Sequence, residues 1–422
     1  MASPSSPSGP LARALEATYR ALGRFAEWFG LASLFPGRRE AGSELVSFPP
    51  AEGEARLWLH AGTRAGLDLA QPLMASWRQA HPEGRIVLTV LSDEARAEAE
   101  SEGDHRTTVA YLPTDTPRAA RRFLDAATPT CALCLGPGLW PTLSRELHRR
   151  GIPWSWLITS VFPAAWRWAR RLPGVFRATL NRPDAVLLGQ VEDREALAGQ
   201  GIADDKIHIT GNPLLDAPPP PDPGASRRLR TALQGRPILL FEGTEAGEEE
   251  LLAGVCRQLP APFTHWLMTL APAEPARAEE LAERFARFEL ATAVASRGDP
   301  LTAETAVYLL DDPEQHPLFL GAADAVVLGG TWIHGFAGAD PRPAAAAGRG
   351  IIYGPYAHRH REVLRLLDRA EAAQQAPNVN NLLASLRRWL QQPGEAQAAG
   401  RHARGLLEPH RGATKRVVAH LG

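Results

Sequence analysis

The sequence predicts a two-domain α/β protein in which each domain holds a parallel, doubly wound, Rossmann-like sheet. Two observations carry this prediction. Short apolar runs alternate with helical stretches along most of the chain, and a proline-rich run interrupts the alternation near its middle. A chain of 422 residues also exceeds what one hydrophobic core usually serves. Alternation of strands and helices is the pattern of a parallel sheet covered on both faces.

The predicted strands fall into two sets. The first set precedes the proline run and comprises Leu57–His60, Ile86–Val90, Val109–Leu112, Cys131–Leu135, Trp156–Thr159, Ala185–Leu188 and Ile207–Thr210. The second set follows it and comprises Ile238–Phe241, Trp266–Leu270, Ala306–Leu309, Ala325–Leu328 and Ile351–Tyr353. Helices are predicted between the first strands at residues 67–80, 116–125, 141–150 and 193–200. Because ligands of open parallel sheets bind beyond the carboxyl ends of the strands, we expect the site in a cleft between the domains.

Domain boundaries follow from the proline run. Proline lacks a backbone donor and disfavours helix before it, so residues 217–224 are predicted to form a stiff, exposed linker. The remaining predicted segments are an N-terminal tail with an amphipathic helix (1–40), an N-terminal domain (41–216), a C-terminal domain (225–400) and a C-terminal helix (401–422). One alternative is that this last helix crosses back to the N-terminal domain.

Composition argues against several classes of protein. A net charge of −1 gives no electrostatic basis for binding nucleic acid. Three cysteines are too few for a disulfide framework and fit a reducing, cytoplasmic compartment. Cys131 and Cys134 have CxxC spacing, but residues three apart on a strand face opposite sides, so we predict buried thiols and not a metal site. We predict neither a metal nor a cofactor.

Residues 11–35 form an amphipathic pattern with two interpretations. Apolar side chains recur at three- and four-residue steps, with charged ones between them, at Leu11, Leu15, Leu22, Phe25 and Phe29. Such a helix suits an anionic membrane surface, which would place the protein peripherally on the cytoplasmic face of the inner membrane. It equally suits packing on its own domain. A cluster of Trp154, Trp156, Trp166 and Trp168 with Arg167, Arg170 and Arg171 leaves the same choice, between a lipid-headgroup interface and ordinary core and surface positions.

From about residue 55 to the C-terminus, an ordered series of motifs resembles the Kdo (3-deoxy-D-manno-octulosonic acid) transferases. The series comprises Leu57–Ala61, Tyr111–Asp115, Leu139–Pro141, Arg171–Gly174, Thr210–Asn212, Gly243-Thr244 with Gly247–Glu249, Ala322–Asp324, Gly329–Thr331 and Tyr353–Pro355. The resemblance implies the GT-B fold, with two Rossmann-like domains facing a cleft. It also implies transfer of Kdo from its CMP ester to a lipid A-type glycolipid at the inner membrane, in lipopolysaccharide core biosynthesis.

The sequence departs from that family where the family has its charged groups. Gly66 stands where the family has the Glu that is taken as the base. Gly136-Pro137-Gly138 replaces the family's Glu-Thr-Glu, and Pro272-Ala273-Glu274-Pro275 replaces its Pro-Arg-His-Pro. Ala339-Asp340-Pro341-Arg342-Pro343-Ala344 replaces its His-Asn-Pro-Leu-Glu-Pro. By this comparison the chain is a divergent member whose acid–base groups are depleted.

The residues nearest to these positions are the candidates for the site. His60, at the end of the first strand, and Asp68, on the following helix, are the candidate catalytic bases. Arg64, from the loop between them, is the candidate acceptor-binding residue. The candidate donor-binding residues are Asn212, Thr244, Gly329, Gly330, Thr331 and Arg342.

Two of the donor-site motifs have a structural interpretation beside the functional one. Gly329-Gly330-Thr331, after a strand, either offers backbone N–H groups to a phosphate or forms a tight turn. Asp340-Pro341 is a good start for a helix, with Asp at N-cap and Pro at N1. That carboxylate would repel a donor phosphate, and Arg342 and Arg349 would offset the repulsion.

Two hypotheses from different classes follow. The first is an active glycosyltransferase that uses a CMP-linked sugar and a lipid A-type acceptor through an altered site. The second is a catalytically inactive relative that binds ligands or acts as a scaffold in envelope biogenesis. A weaker third is a transferase with another nucleotide donor.

Overall fold

Two parallel sheets organise the chain in the computed structural model. The structure describes residues 10–28, 54–136, 140–159, 179–199, 202–259 and 265–421. It divides into two units, one running to Leu214 and including the stretch from Gly412, the other spanning Leu215–Arg411. Among the described residues each unit holds one seven-stranded sheet.

The sheet of the first unit has the strand order β3-β2-β1-β4-β5-β6-β7, all parallel. Its strands are β1 (Arg56–Ala61), β2 (Arg85–Val90), β3 (Thr107–Tyr111), β4 (Cys131–Leu135), β5 (Trp154–Ile158), β6 (Ala185–Leu188) and β7 (Ile207–Ile209). The described helices are α1 (Pro10–Trp28), α2 (Arg64–Ala80), α3 (Asp93–Glu102), α4 (Pro117–Ala127), α5 (Pro141–Arg149) and α6 (Asp193–Ala198). Strand order reverses beside β1, so the crevice between β1 and β4 is the usual place for a ligand.

The sheet of the second unit has the order β10-β11-β9-β8-β12-β13-β14, again all parallel. Its strands are β8 (Ile238–Thr244), β9 (Leu267–Pro272), β10 (Thr292–Val294), β11 (Val307–Leu309), β12 (Ala325–Leu328), β13 (Gly350–Tyr353) and β14 (Ala373–Gln375). The described helices after α6 are α7 (Pro223–Ala232), α8 (Glu248–Cys256), α9 (Ala278–Arg287), α10 (His316–Ala322), α11 (Arg342–Ala346), α12 (Arg361–Arg369), α13 (Val379–Gln391), α14 (Pro393–Leu407) and α15 (Ala413–Ala419). The switch point here lies between β8 and β12.

Burial explains why these segments are strands. All six residues of β1 are buried, as are all residues of β4, β5, β9, β12 and β13. Continuous apolar runs of this kind suit strands covered by helices on both faces. The predicted α/β class is confirmed. Two doubly wound domains in one chain are characteristic of the GT-B fold. The predicted strands are all present, while the short edge strands β10 and β14 were missed.

The proline run ends earlier than predicted. Asp222 caps α7, because its carboxylate accepts the N–H groups of Gly224 at 2.8 Å and Ala225 at 3.1 Å. Pro223 and Gly224 therefore belong to the first turn of that helix and not to the linker. At the other end of the chain, Arg416 Nε donates to the Thr210 carbonyl at 2.8 Å, so α15 packs on the first unit.

Helix α1 docks on the first unit through polar side chains. The buried Glu16 carboxylate pairs with Arg182 at 2.5 Å and Arg145 at 3.3 Å. The hydroxyl of Tyr19 donates to Asp115 Oδ2 at 3.2 Å. By contrast, Leu22, Phe25 and Trp28 are 57, 56 and 89% exposed. The apolar periodicity predicted from the sequence thus does not mark the packing face, and residues 29–35 of that pattern lie outside the described residues.

The predicted core thiols and part of the tryptophan cluster lie in the sheet of the first unit. Cys131 and Cys134 are both buried on β4. Burial raises the pKa of Cys131 to about 11 and that of Cys134 to about 12, so both remain protonated thiols. Trp154 and Trp156 are buried on β5, as the core interpretation predicts. The other residues of that cluster, Trp166, Trp168, Arg167, Arg170 and Arg171, lie outside the described residues.

Candidate functional site

The candidate residues fall at the carboxyl ends of strands in both units. In the first unit His60, Arg64 and Asp68 lie at the end of β1 and the beginning of α2, and Asn212 follows β7. In the second unit the candidates surround the ends of β8 and β12. Parallel sheets bind ligands at this edge, so the strands place the candidates where the fold can use them.

His60 is the buried side chain at the end of β1. It is 2% exposed, and its Nδ1 lies 3.1 Å from the carbonyl oxygen of Thr89 and 3.0 Å from that residue's hydroxyl. A carbonyl oxygen only accepts hydrogen bonds, so Nδ1 carries the proton and the lone pair is on Nε2. Burial lowers the pKa of His60 to about 4, which keeps the imidazole neutral at pH 7.

Two glycines leave space around this imidazole and the helix that follows. A Cβ on Gly62 would stand 3.0 Å from His60 Nε2, so the glycine leaves that nitrogen uncovered on this side. Gly66 lies in the first turn of α2, where the Thr63 hydroxyl caps the helix by accepting the Gly66 N–H at 3.1 Å. The atoms nearest to a Cβ on Gly66 belong to Ala61 and Thr63, at 3.3 to 3.5 Å. None of these nearest atoms is a carboxylate oxygen.

Asp68 and Arg64 contact each other. Arg64 Nε lies 3.5 Å from Asp68 Oδ1, and Arg64 Nη1 lies 2.5 Å from Glu98 Oε2 on α3. The candidate base Asp68 and the candidate acceptor-binding residue Arg64 are therefore paired with each other. A carboxylate held by a guanidinium is a weaker proton acceptor, which favours His60 over Asp68 as the base.

In the second unit, Glu248 joins the two loops at the switch point. Its side chain is fully buried, and its carboxylate accepts three backbone N–H groups: Glu245 at 3.0 Å, Gly330 at 2.6 Å and Trp332 at 2.8 Å. Glu248 is the first residue of α8, so the helix dipole favours its negative charge. The loop after β8 and the loop after β12 are therefore fixed to each other.

Two amides of the predicted phosphate-binding loop have acceptors within the protein. The Gly330 N–H donates to Glu248, and the Gly329 N–H donates to the Glu242 carbonyl at 2.7 Å. The Thr331 hydroxyl donates to the Leu328 carbonyl at 2.6 Å and accepts the Gly354 N–H at 2.9 Å. These groups satisfy the protein's own backbone, so the amides of Gly329 and Gly330 do not face a phosphate.

The glycines themselves are required by close packing of the loops. A Cβ on Gly329 would stand 2.5 Å from the Gly243 carbonyl oxygen and 2.5 Å from Thr244 Cα. Gly330 has φ +65°, a conformation that favours glycine. Gly329 is thus required because two loops approach closely, and Gly330 because its φ is positive.

Thr244 and Asn212 differ in their hydrogen bonding. Thr244 is fully buried, and its hydroxyl has no hydrogen-bond partner among the described residues. A buried hydroxyl without a partner is costly, so this one remains a candidate to contact a ligand. The side-chain oxygen of Asn212, in the first unit, accepts the Leu214 N–H at 3.0 Å and so holds a local turn.

Arg342 is neutralised by its neighbour. Its guanidinium forms a forked pair with Asp340, with Nε at 2.9 Å from Oδ1 and Nη2 at 2.7 Å from Oδ2. The helix after this pair starts one residue later than predicted, since Pro341 is the N-cap and Arg342 the first helical residue. Asp340 still accepts the Arg342 N–H at 2.9 Å. The pair carries no net charge to offer a donor phosphate.

Sequence reasoning missed a cation and an acidic group beside the switch point. Arg277, which follows β9, donates to the fully buried Glu249 at 2.6 Å, while the second carboxylate oxygen of Glu249 has no partner among the described residues. Burial and the negative charges of Glu248 and Glu274 raise the pKa of Glu245. The charge near the loop after β8 is therefore mainly negative.

A second missed pair lies on β8 itself. His316, at the start of α10, has its Nε2 2.7 Å from Glu242 Oε2. The hydrogen bond to this carboxylate raises the pKa of His316. The two residues are far apart in sequence, and neither belongs to a motif that would have paired them.

In the described part of the chain, no group of three or more His, Cys, Asp or Glu side chains is placed to hold a metal ion. None of the described helices is both long and apolar enough to cross a membrane.

Comparisons with known proteins agree with the motif series. The family model described as 3-deoxy-D-manno-octulosonic-acid transferase (kdotransferase) matches residues 25–217. A 3-deoxy-D-manno-octulosonic acid transferase of Bordetella pertussis is 28% identical over 382 residues, covering 88% of each chain. The chain is thus similar to 3-deoxy-D-manno-octulosonic acid transferases over most of its length.

Further similarities extend the comparison. The Haemophilus influenzae 3-deoxy-D-manno-octulosonic acid transferase is 25% identical, with 88% of this chain and 87% of that one covered. Among solved structures, the C-terminal CMP-Kdo binding domain of an Acinetobacter baumannii protein matches 44% of this chain and 97% of its own, with 18% identity and a TM-score of 0.40.

Substituting Gly329 with Ala should destabilise the protein by about 3 kcal/mol, because the new Cβ meets backbone atoms that cannot move aside. Urea unfolding measures the change. Gly405→Ala is the matched control, since a Cβ at this helical position on α14 meets nothing within 4 Å. The control should be stabilised by about 0.5–1 kcal/mol. Equal stability of the two variants would contradict the packing role of Gly329.

His60 should make the stability depend on pH. Its pKa is about 4 in the folded protein and about 6.5 for a histidine in the unfolded chain, so between these pH values only the unfolded chain binds the proton. The stabilisation is present above pH 6.5 and should fall by on the order of 3 kcal/mol as the pH drops to 4. The free energy of unfolding of the wild type minus that of His60→Gln, measured from pH 7 to 4, isolates this effect. Asp115, whose pKa is raised to about 6, acts with opposite sign in both proteins and cancels in the difference. Parallel pH curves would refute the assignment.

Proposed function

We propose that the protein transfers Kdo from a CMP-linked donor to a lipid A-type acceptor. The observation that carries the proposal is family similarity along the chain, with 88% of it aligned to a 3-deoxy-D-manno-octulosonic acid transferase. Both units also keep doubly wound sheets with candidate residues at their switch points. A cytoplasmic location belongs to the same proposal.

His60 is the proposed base. In the proposed step, the acceptor hydroxyl attacks the anomeric carbon of Kdo, its proton passes to His60 Nε2, and CMP leaves with the bonding electrons. The neutral tautomer fixed by Thr89 leaves Nε2 able to accept that proton. A pKa of about 4 makes this imidazole a weak base, so we expect slow turnover.

Arg277 is the proposed cation on the donor side. It lies in the loop after β9, where the sequence has lost the family's Pro-Arg-His-Pro, and its side chain is 14% exposed. Its pairing with Glu249 offsets much of its charge. The buried Thr244 hydroxyl supplies a further hydrogen-bonding group at the same edge.

The second candidate function is ligand binding without catalysis. Its support is the negative charge of the donor side. Several carboxylates lie around the cation Arg277 there: Glu245, Glu248, Glu249 and Glu274. Carboxylates in a partly dry site weaken the binding of an anionic nucleotide sugar and oppose the charge of its departing phosphate, so they count against turnover. Gly66 adds to this case, because a glycine has no group that accepts a proton.

An assay with purified protein, CMP-Kdo and a lipid A precursor separates the two functions. The transferase proposal expects product, with the rate lowered about 10²-fold or more in His60→Gln and little changed in Asp68→Asn. Circular dichroism of each variant checks that it is folded. Absence of product together with no thermal shift from CMP or UDP would eliminate the transferase proposal. Thermal stabilisation by CMP without product would favour the binding function, and turnover restored by Gly66→Glu would identify the missing base as its cause.

We also propose that α1 binds the membrane surface peripherally. Its docked face carries Glu16 and Tyr19, while Leu22, Phe25 and Trp28 form an exposed stripe at three-residue spacing. Aromatic and leucine side chains beside arginine suit the interface of an anionic bilayer, and Arg24 is exposed on the same helix. This would bring the first unit to its glycolipid acceptor.

Cosedimentation with phosphatidylglycerol vesicles tests the membrane proposal. The wild type should bind them more strongly than phosphatidylcholine vesicles. The triple variant Leu22→Ser, Phe25→Ser, Trp28→Ser should lose binding at least tenfold, since each buried apolar side chain contributes about 1.5–3 kcal/mol. Leu251→Ser, at an exposed leucine of the second unit, is the control and should bind like the wild type. Equal sedimentation of the triple variant would refute the proposal.

A further inference from the structure

We propose that a cavity at the amino-terminal edge of the second sheet binds a small phosphate-bearing anion. The cavity has a volume of about 340 Å³, and its described lining includes Arg227, Arg230, Arg349 and Asp324. This volume lies within the range of about 300–1,000 Å³ found for small-molecule sites. Nothing in the proposed transferase reaction uses this cavity.

The cavity lies at the edge opposite the switch-point residues. Asp324 directly precedes β12 and Arg349 directly precedes β13, whereas Gly329–Thr331 follow β12. Arg227 and Arg230 come from α7, the helix that begins at the end of the proline run. The site is therefore distinct from the donor-side candidates.

Positive charge exceeds negative charge among the described lining residues. Three guanidinium groups face one carboxylate, and both oxygens of that carboxylate are engaged. Asp324 Oδ1 accepts from Arg230 at 2.9 Å, and Oδ2 accepts the Ile238 N–H at 2.8 Å. The balance of the described side chains is a net charge of about +2, which an anion would neutralise.

The arginines retain donors that no described residue accepts. Arg349 uses Nη1 toward the Ala323 carbonyl at 2.9 Å and Nε toward the Ala347 carbonyl at 3.0 Å, which leaves Nη2. Arg230 donates through Nη1 alone, to the Ala322 carbonyl and Asp324. The guanidinium of Arg227 forms neither a hydrogen bond nor an ion pair with a described residue.

The charges around Arg349 bear on the same conclusion. Burial lowers the pKa of Arg349, Asp324 opposes that effect, and repulsion from the nearby Arg230 lowers the pKa again. An anion between the guanidinium groups would relieve this repulsion. Guanidinium forks match the oxygen geometry of phosphate, so a phosphomonoester or a pyrophosphate is the fitting class of ligand.

Binding of inorganic pyrophosphate to the full chain, measured by calorimetry at low ionic strength with saturating CMP present, tests the proposal. The wild type should bind pyrophosphate, and both Arg227→Gln and Arg349→Gln should weaken binding about five- to twentyfold. Arg228→Gln is the matched control, because Arg228 is the neighbour on α7, is 77% exposed and does not line the cavity. The control should bind like the wild type.

Two results would overturn the site. One is absence of pyrophosphate binding to the wild type at millimolar concentration. The other is a pattern that does not single out the cavity: either all three variants bind like the wild type, or Arg228→Gln weakens binding as much as Arg227→Gln. Both patterns would indicate nonspecific attraction or a site elsewhere. Arg227 makes no side-chain contact that the fold depends on among the described residues, so its variant should stay folded. Sugar transfer is assayed separately, so failure of this site leaves the transferase proposal unaffected.

Discussion

The buried carboxylate of Glu248 is the interaction on which the donor side of the second unit depends. A charge removed from water is tolerated only when hydrogen bonds replace its hydration, and three backbone N–H groups do so here. The same contacts set the distance between the loops after β8 and β12. That distance in turn demands glycine at position 329. One acidic side chain therefore fixes the shape of the switch point and also removes amide donors from it.

Burial determines which elements could be predicted from the sequence. The buried strands could be predicted because both faces of each sheet are covered, so their sequences are continuous apolar runs. The polar strand β14, of sequence Ala-Gln-Gln, carries no such signal and is defined by pairing with β13. The sequence around Gly329-Gly330 predicts either a phosphate-binding loop or a tight turn after a strand. The partner of its amides lies on α8, so the direction of those N–H groups could not be inferred from the motif.

Long-range pairs set the limits for the site. Arg277 with Glu249, and His316 with Glu242, join residues from different strand–helix units. The parallel topology brings their ends together, and periodicity within a single segment gives no sign of it. Conversely, Arg64 and Asp68 lie four residues apart on one helix and form an ion pair, so neither charge acts independently of the other. His60 retains an available lone pair because Thr89, on the neighbouring strand, determines its tautomer.

The docking of α1 has a mechanical consequence. Asp115 accepts not only the Tyr19 hydroxyl but also the N–H groups of Thr142 at 3.1 Å and Leu143 at 2.8 Å, at the first turn of α5. A single carboxylate thus holds α1 and the first turn of α5 together. A force applied to α1 would therefore be transmitted to α5 through the hydrogen bonds of Asp115.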